Sequence, residues 1–425
     1  MSAASTRHAI DVGELRAYGA LLCMAVVPIV AGAASSLKMP KVARTRLHSM
    51  LKQQKKLACK AKIKALPSSE SDSDASDDDS ASDEDEDTSE AVSLSDAYAF
   101  PILGSIVLFG LYLCFKYLDP KWVNFVIGKY LALMGVGSVA RATVKLARGS
   151  GIVSDKTYRQ LAKYSVVKTE KNSEPAASSK SKPDGQKRDR SSRKMKTTEM
   201  VSTNLVQVAS LVFALVLTVY QSYRPNWIIA NGMALAFAFN AISLMALDSF
   251  VTGSVLLALL FFYDIWWVFG SKRAFGADVM VSVATKLDAP IKVTFPRDMV
   301  NMRGFSLLGL GDIVLPGIFV ALAMRFDYHQ ALQSSLKVKD KLPLKPTARF
   351  PKPYFRTSLV AYVAGLVTTI CVMHTFKAAQ PALLYLSPAC ILSVIGCAIS
   401  RNELQQLWSF QELDDEEEES KNKNE

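Results

Sequence analysis

The chain is poor in the side chains that most hydrolases use for metal or nucleophile chemistry. It holds 4 histidines and 6 cysteines in 425 residues. No two of His8, His48, His329 and His374 stand at ligand spacing, and a zinc protease would need a pattern such as H-E-x-x-H. Cys23, Cys59, Cys114, Cys371, Cys390 and Cys397 are scattered, mostly through apolar runs, so neither a disulfide framework nor a thiolate metal site is written there. No G-x-S-G serine lies inside an apolar run, which disfavours a serine hydrolase working in a membrane. No N-x-S/T acceptor for glycosylation occurs. The expectation is a protein without metal or cofactor, whose chemistry, if it has any, belongs to carboxylates.

Apolar residues make up 50% of a chain that also carries long charged tracts, so they must be concentrated in runs. A bilayer core about 30 Å thick takes about 20 mostly apolar helical residues to cross. Nine stretches qualify, near 17–35, 97–118, 122–140, 203–220, 227–245, 250–270, 305–324, 359–376 and 381–400. The fold class read from them is all-α, a polytopic membrane protein with a nine-helix bundle. The first run has a second reading as a cleaved signal peptide, because Ala31-Gly32-Ala33-Ala34 follows its apolar core. Its preceding residues mix Asp11 and Glu14 with Arg7 and Arg16, which suits an uncleaved span better.

Lysine and arginine collect in the loops after the first, third and seventh runs, from Lys38 to Lys64, from Arg141 to Lys196 and from Arg325 to Arg356. Those loops share one face, which the positive-inside rule assigns to the cytosol. The amino terminus is then luminal and the carboxyl terminus cytosolic. The net charge of +11 is accounted for by these loops, and no basic fold interleaved with aromatics supports nucleic-acid binding. The organisation expected is a luminal segment, first span and basic loop over 1–66, a disordered acidic insert over 67–92, and two spans over 93–141. A basic, largely disordered loop follows over 142–200, then a membrane core over 201–400 and a cytosolic tail over 401–425. The acidic insert, with Ser71-Asp72-Ser73-Asp74, has too few apolar residues to bury. It reads as a solvated spacer or as a phosphorylation target.

Two aspartates stand inside runs that should exclude charge. Asp264 lies in Phe261-Phe262-Tyr263-Asp264-Ile265-Trp266-Trp267, and Asp312 in Leu308-Gly309-Leu310-Gly311-Asp312-Ile313-Val314. A carboxylate in a span is costly and marks function, or else bonds a neighbouring helix. Two brought together share a proton, one serving as acid and the other as base, and such a pair activates water. Gly309 and Gly311 are expected to let helices approach closely. Tyr263 places a phenol beside Asp264 that can bond a water or a substrate. The rival reading is a proton- or cation-coupled carrier or channel, and a third is a non-enzymatic chaperone for membrane helices.

Tyr263-Asp264, then Gly309-Leu310-Gly311-Asp312, then Gln380-Pro381-Ala382-Leu383 resembles the Y-D, G-x-G-D and P-A-L signature of the intramembrane aspartyl proteases. The chain is more similar to the signal peptide peptidase branch than to the presenilin branch, and the orientation read above agrees with that branch. The resemblance implies an endopeptidase of the endoplasmic reticulum membrane that cuts type II transmembrane helices, including remnant signal peptides. Asp264 and Asp312 would be its dyad, and Pro381, Ala382 and Leu383 its substrate-positioning element, with Tyr263, Gly309 and Gly311 also positioning substrate. Its partners would be transmembrane-helix substrates and the lipid bilayer, with a homo-oligomer or a degradation complex left open. The terminal Lys421-Asn422-Lys423-Asn424-Glu425 resembles a dilysine retrieval signal, or is simply a charged tail.

Overall fold

The computed structural model describes residues 12–40, 43–53, 90–149, 164–168, 198–203, 205–276, 279–287, 291–298, 303–337, 342–376 and 380–412. Nearly all of the acidic insert, much of the long basic loop and the lysine-bearing terminus lie outside them. Long helices dominate the described residues: α1 Val12–Ser35, α2 Leu94–Tyr117, α3 Pro120–Gly149, α4 Leu205–Tyr223 and α5 Trp227–Leu244. They continue with α6 Phe250–Ile265, α7 Gly311–Leu336, α8 Pro353–Phe376 and α9 Leu383–Arg401. Among the described residues, eight helices are long and apolar enough to cross a membrane. The helix outside that set is α7, because Asp312, Arg325, Asp327 and His329 interrupt its apolar run.

Packing sorts these helices into a centre and a rim. Every residue of α7 from Pro316 to Tyr328 is buried, so this helix is covered on nearly all sides and forms the axis of the bundle. Phe319 and Phe326 meet Phe250 of α6 edge-on at 6.0 and 5.5 Å. Helix α1 buries Ala17, Leu21, Ala25, Ile29 and Ala33, joined by Pro28 and Gly32 in its last turns. That four-residue period makes a narrow stripe, which packs on α5 and α7. By contrast α2 and α4 leave Ile102, Leu103, Ile106, Val212, Phe213 and Val216 exposed, a surface suited to lipid.

Short strands complete the frame. β1 Glu90–Val92 pairs in parallel with β4 Met245–Leu247, so the last three residues of the acidic stretch are ordered by the chain just before α6. β2 Tyr164–Lys168 and β3 Thr198–Thr203 pair antiparallel. β5 Lys292–Asp298 and β6 Arg303–Gly309 form an antiparallel pair in the register Lys292↔Gly309 to Asp298↔Arg303. This last pair corrects the seventh expected run, 305–324. Its first residues are strand, and the helix begins only at Gly311. Phe305 and Leu307 alternate with the buried Ser306 and Leu308, a period of two that the length of the apolar run conceals.

Candidate active site

Asp264 occupies the last turn of α6 and is 3% exposed. The helix does not simply end there. Trp266–Gly270 forms a π-turn that leads into the short helix Ser271–Phe275, which Gly276 closes at φ 69° in the left-handed region. The widened turn points Trp267 at α2, where its indole N–H donates to Ser105 Oγ at 3.1 Å. Directly after Asp264, α6 is therefore tied to α2 by a polar contact that no local sequence preference demands.

Asp312 is the second residue of α7, in its first turn, where the aligned peptide dipoles favour negative charge. The β5–β6 pair delivers it: the Leu310 N–H donates to the Ile291 carbonyl at 3.0 Å, and α7 starts at the next residue. On the far edge of β5, the buried Asn231 of α5 bonds both backbone groups of Thr294. Its Nδ2 donates to the Thr294 carbonyl at 2.7 Å and its Oδ1 accepts the Thr294 N–H at 2.9 Å. Tyr362 of α8, fully buried, donates its hydroxyl to the backbone carbonyl of Asp312 at 3.3 Å. Strand, α5 and α8 thus hold the start of α7 from three sides.

The three sequence motifs converge. The backbone N–H of Leu383, the first residue of α9, donates to Asp264 Oδ2 at 3.2 Å. Asp312 lies within electrostatic reach of Asp264. Pro381, Ala382 and Leu383 are all buried. Helix α9 packs against α6, α7 and α8, so this element sits among the helices that carry the two aspartates.

Other expected site residues lie differently from their sequence reading. Gly309 ends β6 instead of lying between helices, and a Cβ there would stand 3.3 Å from Asp312 Oδ2. Its missing side chain makes room for the carboxylate. Gly311 is exposed, and a Cβ on it would meet only Leu315 at 4.0 Å, so it does not let two helices approach either. Tyr263 turns toward α2: its hydroxyl lies 3.5 Å from where a Cβ on Gly104 would be, and its ring is 6.4 Å from that of Trp267. Successive helix residues are about 100° apart, which separates Tyr263 from the direction of Asp264. Asn231 and Tyr362 went unread as site residues, although each is a polar side chain within an apolar run, the signal that singled out the aspartates. Among the described residues no group of three His, Cys, Asp or Glu could hold a metal ion.

Comparison with known proteins places this arrangement. The family model described as signal peptide peptidase matches residues 84–414. The signal peptide peptidase of Mus musculus is 32% identical over 404 residues, covering 94% of this chain and 84% of that protein. The human signal peptide peptidase is 31% identical with the same coverage. Intramembrane protease 2 of Caenorhabditis elegans is 45% identical over 194 residues, which cover 44% of this chain and 39% of that protein. These relatives are named as proteases, which does not favour the carrier, channel and chaperone readings. The chain belongs to the signal peptide peptidase family: it is an all-α, multi-pass membrane protein and an intramembrane-cleaving aspartic protease whose substrates are transmembrane segments in the bilayer.

Proposed function

We propose that Asp264 and Asp312 are the catalytic pair, and that Pro381, Ala382 and Leu383 hold the substrate backbone beside them. The observation that carries this reading is the hydrogen bond from the Leu383 N–H to Asp264, which joins the first and third motifs while Asp312 stands within electrostatic reach. Two carboxyl groups this placed share one proton. The ionised member takes a proton from water as the water oxygen bonds to the scissile carbonyl carbon, and the protonated member gives its proton to the carbonyl oxygen. In the second half a proton passes to the amide nitrogen, the C–N bond breaks, and the products are a carboxyl end and an amino end. The helix start at Asp312 and the amide at Asp264 offset charge on the pair without a metal.

The substrates in this reading are type II transmembrane helices, including remnant signal peptides, cut in the endoplasmic reticulum membrane with the amino terminus luminal and the carboxyl terminus cytosolic. The basic loops after the first, third and seventh runs support that orientation. A helix hides its peptide carbonyls, so substrates weakened by glycine or other poor helix formers are cut faster.

Purified protein incubated with a labelled type II helix tests the assignment. Wild type cuts the helix, an aspartyl transition-state mimic blocks it, and Asp264→Asn and Asp312→Asn each lose about a thousandfold or more in rate while unfolding at the wild-type temperature. Cleavage that persists in either variant overturns it.

A further inference from the structure

At the opposite end of the bundle from the paired motifs lies a polar cavity of about 730 Å³ between the end of α7, the start of α8 and the end of α9. Asp327, which lines it, stands fifteen residues beyond Asp312 on α7, about 22 Å along the axis. The cavity is therefore separate from the proteolytic site and does not rest on its assignment.

Six charged side chains line the cavity, the cations Lys337, Lys352, Arg356 and Arg401 and the anions Asp327 and Glu403. Both anions are engaged within the protein. Asp327, 2% exposed, accepts the Tyr354 N–H at 3.3 Å and the Phe355 N–H at 2.9 Å, closing the start of α8. Glu403 accepts Arg401 Nε at 3.1 Å, the Tyr354 hydroxyl at 2.8 Å and Gln330 Nε2 at 3.2 Å. Arg401 is thus satisfied, and Lys337, Lys352 and Arg356 form no ion pair among the described residues. Lys352 is held below the ordinary range of a lysine by burial first, with Arg356 pushing the same way and Asp327 opposing. The cavity wall carries more cations than anions, and both of its anions already hold partners within the protein.

The cavity opens where α8 and α9, both long and apolar enough to span a bilayer, reach their polar ends at Arg356 and Arg401. Lysine and arginine at that level face lipid headgroups. We propose that this cavity binds a phosphate group, held by Lys337, Lys352 and Arg356, whose source is either the headgroup of an anionic phospholipid or a soluble phosphate ester. Phosphate meets an arginine fork and two ammonium groups with charge-assisted hydrogen bonds. Because α7 begins at Gly311, next to Asp312, and α9 begins at Leu383, an occupant would tie together the far ends of two helices whose near ends carry the paired motifs.

The experiment uses the full-length protein in phosphatidylcholine nanodiscs, with and without a phosphatidylinositol phosphate in the bilayer, and soluble inositol hexakisphosphate as a second probe. Lys352→Gln/Arg356→Gln is compared with Lys272→Gln/Arg273→Gln, an equal loss of charge outside the cavity. Binding of at least one probe by wild type, weakened about tenfold or more by the first pair and unchanged by the second, is the expected result. Binding of the soluble probe identifies a general phosphate site, and binding of the lipid alone identifies a headgroup site. Lys337→Gln, at the exposed end of α7, reads the same site if the paired variant unfolds early. Absence of binding to both probes, or equal weakening by both paired variants, overturns the proposal.

Discussion

The backbone N–H of Leu383 meets Asp264 Oδ2 at 3.2 Å across 119 residues of chain. A main-chain donor cannot be lost by changing the side chain, so the contact depends on where α9 begins. Proline at 381 cannot donate and disfavours helix at the residue before it, which keeps α9 from starting earlier. The position of one amide relative to one carboxylate is thus a property of a helix start.

Gly309→Ala and Gly311→Ala are expected to separate. The first puts a methyl 3.3 Å from Asp312 Oδ2, and the carboxylate must move. Displacement of a reacting group by up to an ångström can cost about a hundredfold, so kcat falls by tenfold to about a hundredfold with KM little changed. The second adds an exposed methyl that meets only Leu315, at 4.0 Å, and raises KM instead. Steady-state cleavage of a labelled transmembrane helix measures both, and equal kcat losses would count against this account.

Tyr362→Phe removes the only side-chain bond described to the Asp312 carbonyl while keeping the ring that fills the core. The expected cost is about 1 kcal/mol in unfolding free energy, together with a several-fold loss of kcat. Denaturant titration and single-turnover rates check it, and a wild-type rate would show that the start of α7 is held well enough without this tyrosine.

Asn231→Ala leaves the N–H and C=O of Thr294 without their partner on α5. About 2 kcal/mol of local stability should be lost. The sensitive readout is hydrogen exchange over β5, which should speed up by at least about tenfold while the buried centre of α7 stays protected. Asn231→Asp should recover part of the protection, since a carboxylate still accepts the Thr294 N–H.

Gly32→Ala tests the packing of α1 on α5. A Cβ there would lie 2.9 Å from Ile242 Cβ and 3.3 Å from the Phe239 carbonyl oxygen, and neither atom can swing aside. Overpacking of this kind costs about 1–3 kcal/mol. Gly19→Ala on the same helix meets nothing within 4 Å and should be neutral in a thermal unfolding assay.

Much of the architecture was legible because a bilayer imposes a length. Runs such as 97–118 and 227–245 correspond closely to α2 and α5, since every backbone group in lipid must be satisfied within its own helix. The same argument failed at 305–324. There β6 is covered by β5 and α7 by the rest of the bundle, so lipid never tests the backbone, and a strand is allowed within an apolar run. The helix α3 also runs to Gly149, beyond the expected end near 140, because a helix need not stop where its apolar residues do.

Within the site, the sequence singled out Asp264, Asp312 and Pro381-Ala382-Leu383, because charge and proline are conspicuous against an apolar background whatever the fold. It took Gly309 and Gly311 for points of close helix approach, which the structure does not make them, and it passed over Asn231 and Tyr362. Tyr263 turns toward Gly104, 159 residues away in the chain, Asn231 and Tyr362 reach residues 63 and 50 positions away, and the room that Gly309 makes depends on how β6 turns into α7.

Composition alone determined that this chain lives in a membrane, because buried apolar runs of spanning length have no cheaper environment. Spacing along the chain determined that carboxylates, and no metal-binding pattern, were available for chemistry. Only the tertiary structure decided that Asp312 would stand at a helix start fed by a strand, that Gly309 would clear its carboxylate, and that an amide of α9 would reach Asp264. Those are contacts between segments whose directions are set by packing, and packing has no one-dimensional signature.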